Sequence, residues 1–218
     1  MGPDKGAKRK SVALAVLVFV CGWGVMSLEM LGGIILTPFF GSDIHVWGSV
    51  IGVFLMSLAV GYVLGGKLSR RFPKPGCLSA VIVVAAVSIA LLPLFYVKVN
   101  NAVFDLWVAG SEAGEQWACL VAAMVLFFVP TTLLGMVSPY AVQLAATDLL
   151  SVGEKAGTLY AISTVGSFLG CVMTSFYFLL WWHTDAILLR TAVLLAVVAL
   201  LFVAVYPRRG MQAKGSDE

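Results

Sequence analysis

One carboxylate lies alone in the first long apolar stretch of the chain, within VMSLEMLGGIIL at residues 25–36. The Glu29 carboxylate can accept hydrogen bonds from backbone or hydroxyl donors, pair with a cation, or bind a proton or an amine. Its most direct ionic partner is Arg190, the one basic residue well inside another apolar stretch. The sequence leaves three roles open for Glu29. The first is structural, through an ion pair with Arg190 or hydrogen bonds from backbone and hydroxyl groups. The others are a site for a cation or proton, and a contact with a partner subunit.

Other polar pairs lie between the apolar stretches. His45 is two residues from Asp43, and His183 is two residues from Asp185. His and Asp at this spacing can contribute metal ligands, but loop residues that only contact water show the same pattern. We therefore predict no metal site and no cofactor. The four cysteines have no CxxC or Cys/His spacing and are expected to pack as small apolar residues.

The composition places these residues in a membrane protein. Of the 218 residues, 61% are hydrophobic and 11% are charged, whereas a soluble domain is nearer half apolar and a quarter charged. A spanning helix needs about 20 mostly apolar residues. Six stretches meet this requirement: residues 12–36, 47–66, 77–97, 117–146, 157–181 and 187–206. The predicted fold is all-α, a six-helix transmembrane domain at 12–206 with a basic tail at 1–11 and a second tail at 207–218.

The distribution of positive charge predicts the orientation of this bundle. All but two of the 14 Lys and Arg residues lie in the termini or connections on one side of the predicted bundle, the exceptions being Lys98 and Arg190. Basic residues of short loops stay in the cytoplasm. We expect both termini to be cytoplasmic, in a bacterial inner membrane. The net charge of +3 follows from topology and gives no indication of nucleic-acid binding.

Small residues recur at helical spacing within the apolar stretches, which lets two helices approach closely in lipid. The predicted packing residues are Gly22, Gly33, Ser57, Gly61, Gly65, Ser163, Gly166 and Gly170. Small residues of this kind can also line a substrate path. The fourth stretch contains Pro130 and Pro139, which predict a broken helix. Thr131 and Thr132 follow the first proline, where backbone carbonyls either bind a ligand or are satisfied by these hydroxyls.

Two stretches of similar sequence suggest an internal repeat. The first helix ends with LGGIILTPFF and the fourth with LLGMVSPYAV, and each precedes a helix rich in small residues. Three plus three helices that start on opposite sides of the membrane form an inverted repeat, as in many transporters. The pattern is consistent with such a 3+3 repeat, resembling half of a major-facilitator fold.

Three longer segments carry a resemblance to a known family. They are LEMLGGIILTPFFGSDIHVWGSVIGVFLMSLAVGYVLGGKLSRR, VPTTLLGMVSPYAVQLA and AGTLYAISTVGSFLGCVMTSF, and they cover about half of the chain. In order and spacing they resemble the membrane domain of fused major-facilitator/spermidine synthase proteins. That family continues into a cytoplasmic aminopropyltransferase domain, whereas this chain ends with PRRGMQAKGSDE. It shows no Gly-rich nucleotide-binding turn and no acidic catalytic pair, so we do not expect an enzyme on its own.

The resemblance and the composition lead to three functional hypotheses. The first is a non-catalytic membrane subunit or scaffold within a larger membrane complex. The second is a transporter of a small, polyamine-like cation. The third is the membrane component of a polyamine synthase whose catalytic chain is separate. Six helices are few for a lone alternating-access transporter, so the expected partners are membrane lipids, other proteins or a second copy, and a cytoplasmic synthase-like protein.

Overall fold

The computed structural model describes residues 5–107, 112–145 and 152–206, and the regular structure within them is entirely helical. The helices are α1 (Lys5–Phe40), α2 (Ile44–Arg71), α3 (Pro75–Trp107), α4 (Glu112–Gly135), α5 (Val137–Ala145), α6 (Val152–Met173), α7 (Leu179–Trp181) and α8 (Thr184–Val205). A π-helical segment, Thr174–Phe178, joins α6 to the short α7.

Six helical spans are long and apolar enough to cross a membrane, which confirms the predicted all-α fold of a multi-pass membrane protein. They are Arg9–Phe40, Ile44–Arg71, Pro75–Leu106, Gly114–Ala145, Val152–Trp181 and Thr184–Val205. Most exceed the predicted stretches, because polar residues continue the helices beyond their apolar parts. Residues 5–11, predicted as part of a tail, accordingly belong to α1.

The fourth span is interrupted, but the interruption lies at neither proline. α4 continues through Pro130 and ends at Gly135, and α5 begins at Val137 after a single turn residue, Met136. Pro139 lies in the first turn of α5, where a missing backbone N–H removes no intrahelical bond. The two helices therefore form one span with a local break at Met136.

Contacts between side chains and loops show which helix ends lie together. The Tyr140 hydroxyl of α5 donates to the carbonyl of Phe72 and accepts from the Lys74 N–H at 3.4 Å. The Tyr206 hydroxyl, just after α8, donates to a carbonyl of α5 at 3.4 Å. The Lys10 ammonium lies 5.6 Å from the ring centroid of Tyr206. The start of α1, the α2–α3 connection and the ends of α5 and α8 thus share one end of the bundle, which we call the basic end.

α1 and α6 pack with their backbones in contact. A β-carbon added at Gly22 would lie 2.4 Å from the Ser163 carbonyl oxygen, and one added at Gly166 would lie 2.2 Å from that of Phe19. A β-carbon at Gly170 would be equally close to the next turn of α1, at 2.3 Å. These positions accept only glycine at the present helix separation, so glycine sets the distance between α1 and α6.

Hydroxyl groups add hydrogen bonds to the same interface. Ser167 of α6 donates to the carbonyl of Gly22 at 3.1 Å, and Ser27 of α1 donates to that of Gly170 at 3.4 Å. Thr174 donates in turn to the Ser27 hydroxyl at 2.9 Å. Hydrogen bonds between helices in a membrane each add about 0.6 kcal/mol, so these bonds supplement the close packing.

A second glycine interface joins α2 to the fourth span. A β-carbon at Gly61 would lie 2.4 Å from the Thr132 carbonyl oxygen, and one at Gly65 would lie 2.5 Å from that of Met136. Ser57, which was also predicted to pack here, is buried and donates to a carbonyl of its own helix at 2.6 Å. The break at Met136 therefore lies directly against Gly65.

Replacement of Gly166 by Ala is expected to lower the free energy of unfolding by about 1–3 kcal/mol, because the new methyl group meets the backbone of α1. Gly76→Ala, near the start of α3, is the matched control, since its methyl group meets open space. That control is expected to leave stability unchanged or raise it by up to about 1 kcal/mol, since Ala favours helix. Unfolding in mixed micelles, followed by circular dichroism, measures both. Equal effects of the two substitutions would contradict the assigned interface.

Candidate functional site

A groove runs between α2 and α6, two helices that share no extensive contact. It encloses a cavity of about 90 Å³. α1 and the α4–α5 junction form its floor, and α2 and α6 form its walls. The lining residues are Cys21, Gly22, Val25, Met26, Leu58, Tyr62, Leu134, Gly135, Ser138, Ser163 and Ser167. Serine and tyrosine hydroxyls are thus the polar side-chain groups of an otherwise apolar lining.

The predicted packing residues build the walls of this groove. Gly22 and Ser163 lie both in the α1–α6 contact and in the groove lining. Gly61 and Gly65 hold α2 against the fourth span behind the opposite wall. The sequence suggested that these small residues either pack helices together or line a path. In the structure, Gly22 and Ser163 do both. Gly33 lies elsewhere, since a β-carbon there would be 2.6 Å from the indole of Trp47.

Two tyrosines flank the mouth of the groove. Tyr62 of α2 and Tyr160 of α6 are 47% and 48% exposed, and they are close enough to interact electrostatically. Both lie three or four residues inside the predicted apolar stretches 157–181 and 47–66, about 5–6 Å from the edge of the apolar layer.

Glu29 lies beside the groove. Its α1 neighbours Met26 and Gly22, one and two turns before it, line the groove, so the carboxylate is on the same side of the helix. The residue is half-buried. Within the described part of the chain, no hydrogen bond or ion pair reaches its carboxylate. A half-buried carboxylate without a partner in an apolar layer is costly, which makes Glu29 the strongest candidate for binding.

The predicted Glu29–Arg190 ion pair is not formed. Arg190 is exposed, and its guanidinium lies 3.6 Å from the ring centroid of Trp182. The cause is the rotation of α8, whose buried side contains Ile187, Leu188 and Thr191. Arg190 therefore lies on the exposed side of α8 and does not reach Glu29.

Arg190 ends a stack of aromatic rings that the sequence analysis missed. Trp23 of α1 meets Phe178 edge-to-face at 6.0 Å between centroids, and Phe178 stacks on Trp182 at 5.1 Å. Phe178 is the last residue of the π-helical segment, where the altered helical repeat changes the direction of the side chains that follow. The aromatic run SFYFLLWW is visible in the sequence, but the local π-helix that aligns these rings is not.

The polar residues of the connections do not form a metal site. Nε2 of His45 lies 3.5 Å from Oδ2 of Asp43 at an exposed position. His183 immediately precedes α8, with Asp185 in the first turn of that helix. No cluster of three His, Cys, Asp or Glu residues occurs among residues 5–107, 112–145 and 152–206. The four cysteines are free thiols.

Several buried polar side chains have no partner in the described residues. The hydroxyls of Thr131 and Thr132, next to Pro130, make no hydrogen bond, so they do not satisfy the backbone groups freed by the proline. The amide of Asn100, near the end of α3, is fully buried and equally unpaired. Asn100 was missed by the sequence analysis, although a polar NN pair at the end of an apolar stretch was a signal for it.

Comparisons with known proteins identify no relative. No family model matches the chain, and neither the curated proteins nor the solved structures contain a match.

Glu29→Gln is expected to leave the stability of the isolated protein unchanged or to raise it, because it removes an unpartnered charge. Loss of one member of a buried ion pair would instead cost about 3–5 kcal/mol. Arg190→Gln, which removes the cation over Trp182, should cost about 0.5–1 kcal/mol. The double variant should show the sum of the two effects, measured by unfolding in mixed micelles. A coupling energy above about 1 kcal/mol would show that Glu29 and Arg190 interact.

Proposed function

We propose that this chain is a non-catalytic integral membrane subunit that acts by assembling with other membrane-embedded protein. In this proposal its six helices correspond to the membrane domain of the fused major-facilitator/spermidine synthase family, which the sequence resembles. The basic end lies in the cytoplasm of a bacterium, because Lys and Arg of short connections remain on that side of the membrane.

One observation carries the proposal: the span with the lowest hydropathy is also the most exposed. In the most apolar 18-residue stretch of Val152–Trp181, 17% of residues are buried, compared with at least 39% in the other five spans. Lipid favours the reverse relation, in which the most exposed helix is the most apolar. A protein surface in place of lipid removes this conflict.

The exposed residues of α2 and α6 form what we call the α2–α6 face. Its small residues are Gly48, Gly52 and Ala59 of α2 and Gly157, Thr158, Ala161 and Thr164 of α6. Its large residues include Leu55, Tyr62 and Val63 of α2, Phe168 of α6, and Phe176 and Tyr177 of the π-helical segment. The exposed sides of α3 and α8 carry mainly Val and Leu instead, such as Val87, Leu91, Val193 and Leu200. Bulky aliphatic side chains suit contact with lipid, and small ones suit contact with another helix.

The threonines of this face require no polar ligand. The Thr158 and Thr164 hydroxyls each donate at 2.9 Å to a carbonyl of their own helix. Gly48, Gly52 and Gly157 have no atom within 4 Å of an added β-carbon, so packing within the chain does not require them. The face therefore differs from the exposed sides of α3 and α8 by the small residues that lie among its large ones, and this favours a protein partner.

The helix pairing supports the 3+3 inverted repeat as part of this proposal. In such a repeat, the first span is equivalent to the fourth, and the second span is equivalent to the fifth. The α1–α6 interface then corresponds to the interface of α2 with the fourth span. Glycine brings the backbones into contact in both, at Gly22 and Gly166 in one and at Gly61 and Gly65 in the other.

Purification of the tagged protein from native membranes in a mild detergent tests the assembly. We expect a stoichiometric complex larger than the 23.2 kDa chain, with subunits identified by mass spectrometry. Ala161→Trp on the α2–α6 face should release the partner, and Val193→Trp on the exposed side of α8 should not. A soluble synthase-like subunit would support the synthase-component hypothesis. A wild-type protein that is monomeric under all mild conditions would contradict the proposal.

A second candidate function, transport of a small organic cation, is favoured by the unpartnered Glu29 beside a hydroxyl-lined groove. In this case, linear amines should raise the melting temperature of the purified protein, and sugars of similar size should not. Glu29→Gln should abolish the shift, because the carboxylate supplies the charge. Asp105→Asn, at an exposed position on α3, is the matched control and should retain it. An amine response that survives Glu29→Gln would exclude Glu29 as the binding group.

A further inference from the structure

We infer that the α2–α6 face binds a second copy of this chain, with a two-fold axis perpendicular to the membrane passing beside the groove. This inference rests on the proposed function as an assembling membrane subunit, and it names the partner. The two-fold arrangement requires the α2–α6 face to be complementary to itself, and three features of the face meet this requirement.

The direction of the two helices is the first feature. The connections place the end of α2 and the start of α6 at the basic end, so the helices run in opposite directions on either side of the groove. All copies of a membrane protein insert with the same orientation, so the axis must be perpendicular to the membrane. Rotation about an axis beside the groove brings α2 of one copy against α6 of its partner, with their basic ends level.

Side-chain size is the second feature. The exposed side of α2 carries Gly48, Gly52 and Ala59, and the exposed side of α6 carries Gly157, Ala161 and Thr164. In the two-fold arrangement these small residues of α2 and α6 face each other across the contact. Small side chains on both helices let the two backbones approach closely in lipid.

Charge is the third feature. The start of α6 carries the exposed Glu154, followed by the half-buried Lys155. The basic end of α2 carries the exposed Lys67 and Arg70. In the two-fold arrangement Glu154 of one copy approaches this basic pair of the other. An axis that placed α2 against α2 would instead bring two basic clusters together. Opposite charges thus favour pairing α2 with α6, and like charges disfavour the alternative.

The second copy also completes the groove. The groove opens between α2 and α6, with Tyr62 and Tyr160 at its mouth. In the dimer the two grooves face each other across the axis, and the tyrosines meet protein instead of lipid. Glu29 lies beside the groove on the same side of α1. The paired grooves therefore form one cavity with a carboxylate from each copy.

Disulfide cross-linking between two differently tagged copies tests the arrangement. One copy carries Ala59→Cys and the other Thr164→Cys, exposed positions about 18 Å from the basic end on α2 and α6. After oxidation in native membranes, we expect a disulfide-linked dimer containing both tags. The control replaces Thr164→Cys by Val193→Cys, at a similar depth on the exposed side of α8. Native cysteines are present in both pairs, so only the introduced thiols differ.

Gly157→Leu tests the face without disturbing the fold, because an added side chain there meets open space. We expect the dimer dissociation constant, measured by energy transfer between labelled copies in detergent, to rise at least tenfold. Gly76→Leu, which also meets open space but lies at the start of α3, should leave it unchanged. Circular dichroism confirms that both variants retain their helices.

The outcomes separate this inference from the proposed function. Cross-linking in the test pair alone, with a dimer weakened by Gly157→Leu, supports the second copy. Equal cross-linking in both pairs, or a dimer that tolerates Gly157→Leu, overturns it. If the face instead binds a different protein, and Gly157→Leu releases that protein, the proposed function stands and the second copy is excluded. A wild-type monomer with no partner in native membranes overturns both.

Discussion

Direct contact between helix backbones is the interaction on which the rest of this bundle depends. In lipid, burial of apolar side chains gives helices little reason to associate, because the hydrocarbon around them is equally apolar. Association then depends on packing, and packing improves as the backbones approach. Gly22, Gly166 and Gly170 provide this approach for α1 and α6, and Gly61 and Gly65 provide it for α2 and the fourth span. Glycine thus sets the separation of α1 from α6 and of α2 from the fourth span, while α3 packs against the fourth span and α8 through side chains.

The groove is a consequence of these two interfaces. One draws α6 onto α1, and the other draws α2 onto the fourth span, so α2 and α6 remain apart. The space between them has α1 and the α4–α5 junction as its floor. The break at Met136 contributes, because it lies against Gly65 and lets α2 follow the backbone of the fourth span closely. The cavity therefore arises from helix packing, and no separate structural element is needed to form it.

The sequence was sufficient for the number of helices and much less so for their rotation. Apolar stretches of adequate length predicted the six spans, since the membrane fixes that length. The partner of Glu29 could not be predicted, because it depends on the rotation of α8. That helix is apolar on all sides, so no stripe marks Ile187 and Leu188 as buried or Arg190 as exposed. The π-helical segment was equally hidden, because a single local change in helical repeat has no reliable pattern in sequence.

The exposed side of α6 and the unpaired carboxylate of Glu29 are two parts of the same physical problem. Each is unfavourable for a single copy in lipid, since one exposes the least hydropathic span and the other leaves a charge without a partner. The two features lie on the same side of the bundle, at the groove between α2 and α6. One protein surface laid across that groove would cover the helix and enclose the carboxylate together. A monomer in lipid would need two unrelated compensations, so assembly over this groove is the simpler account of both.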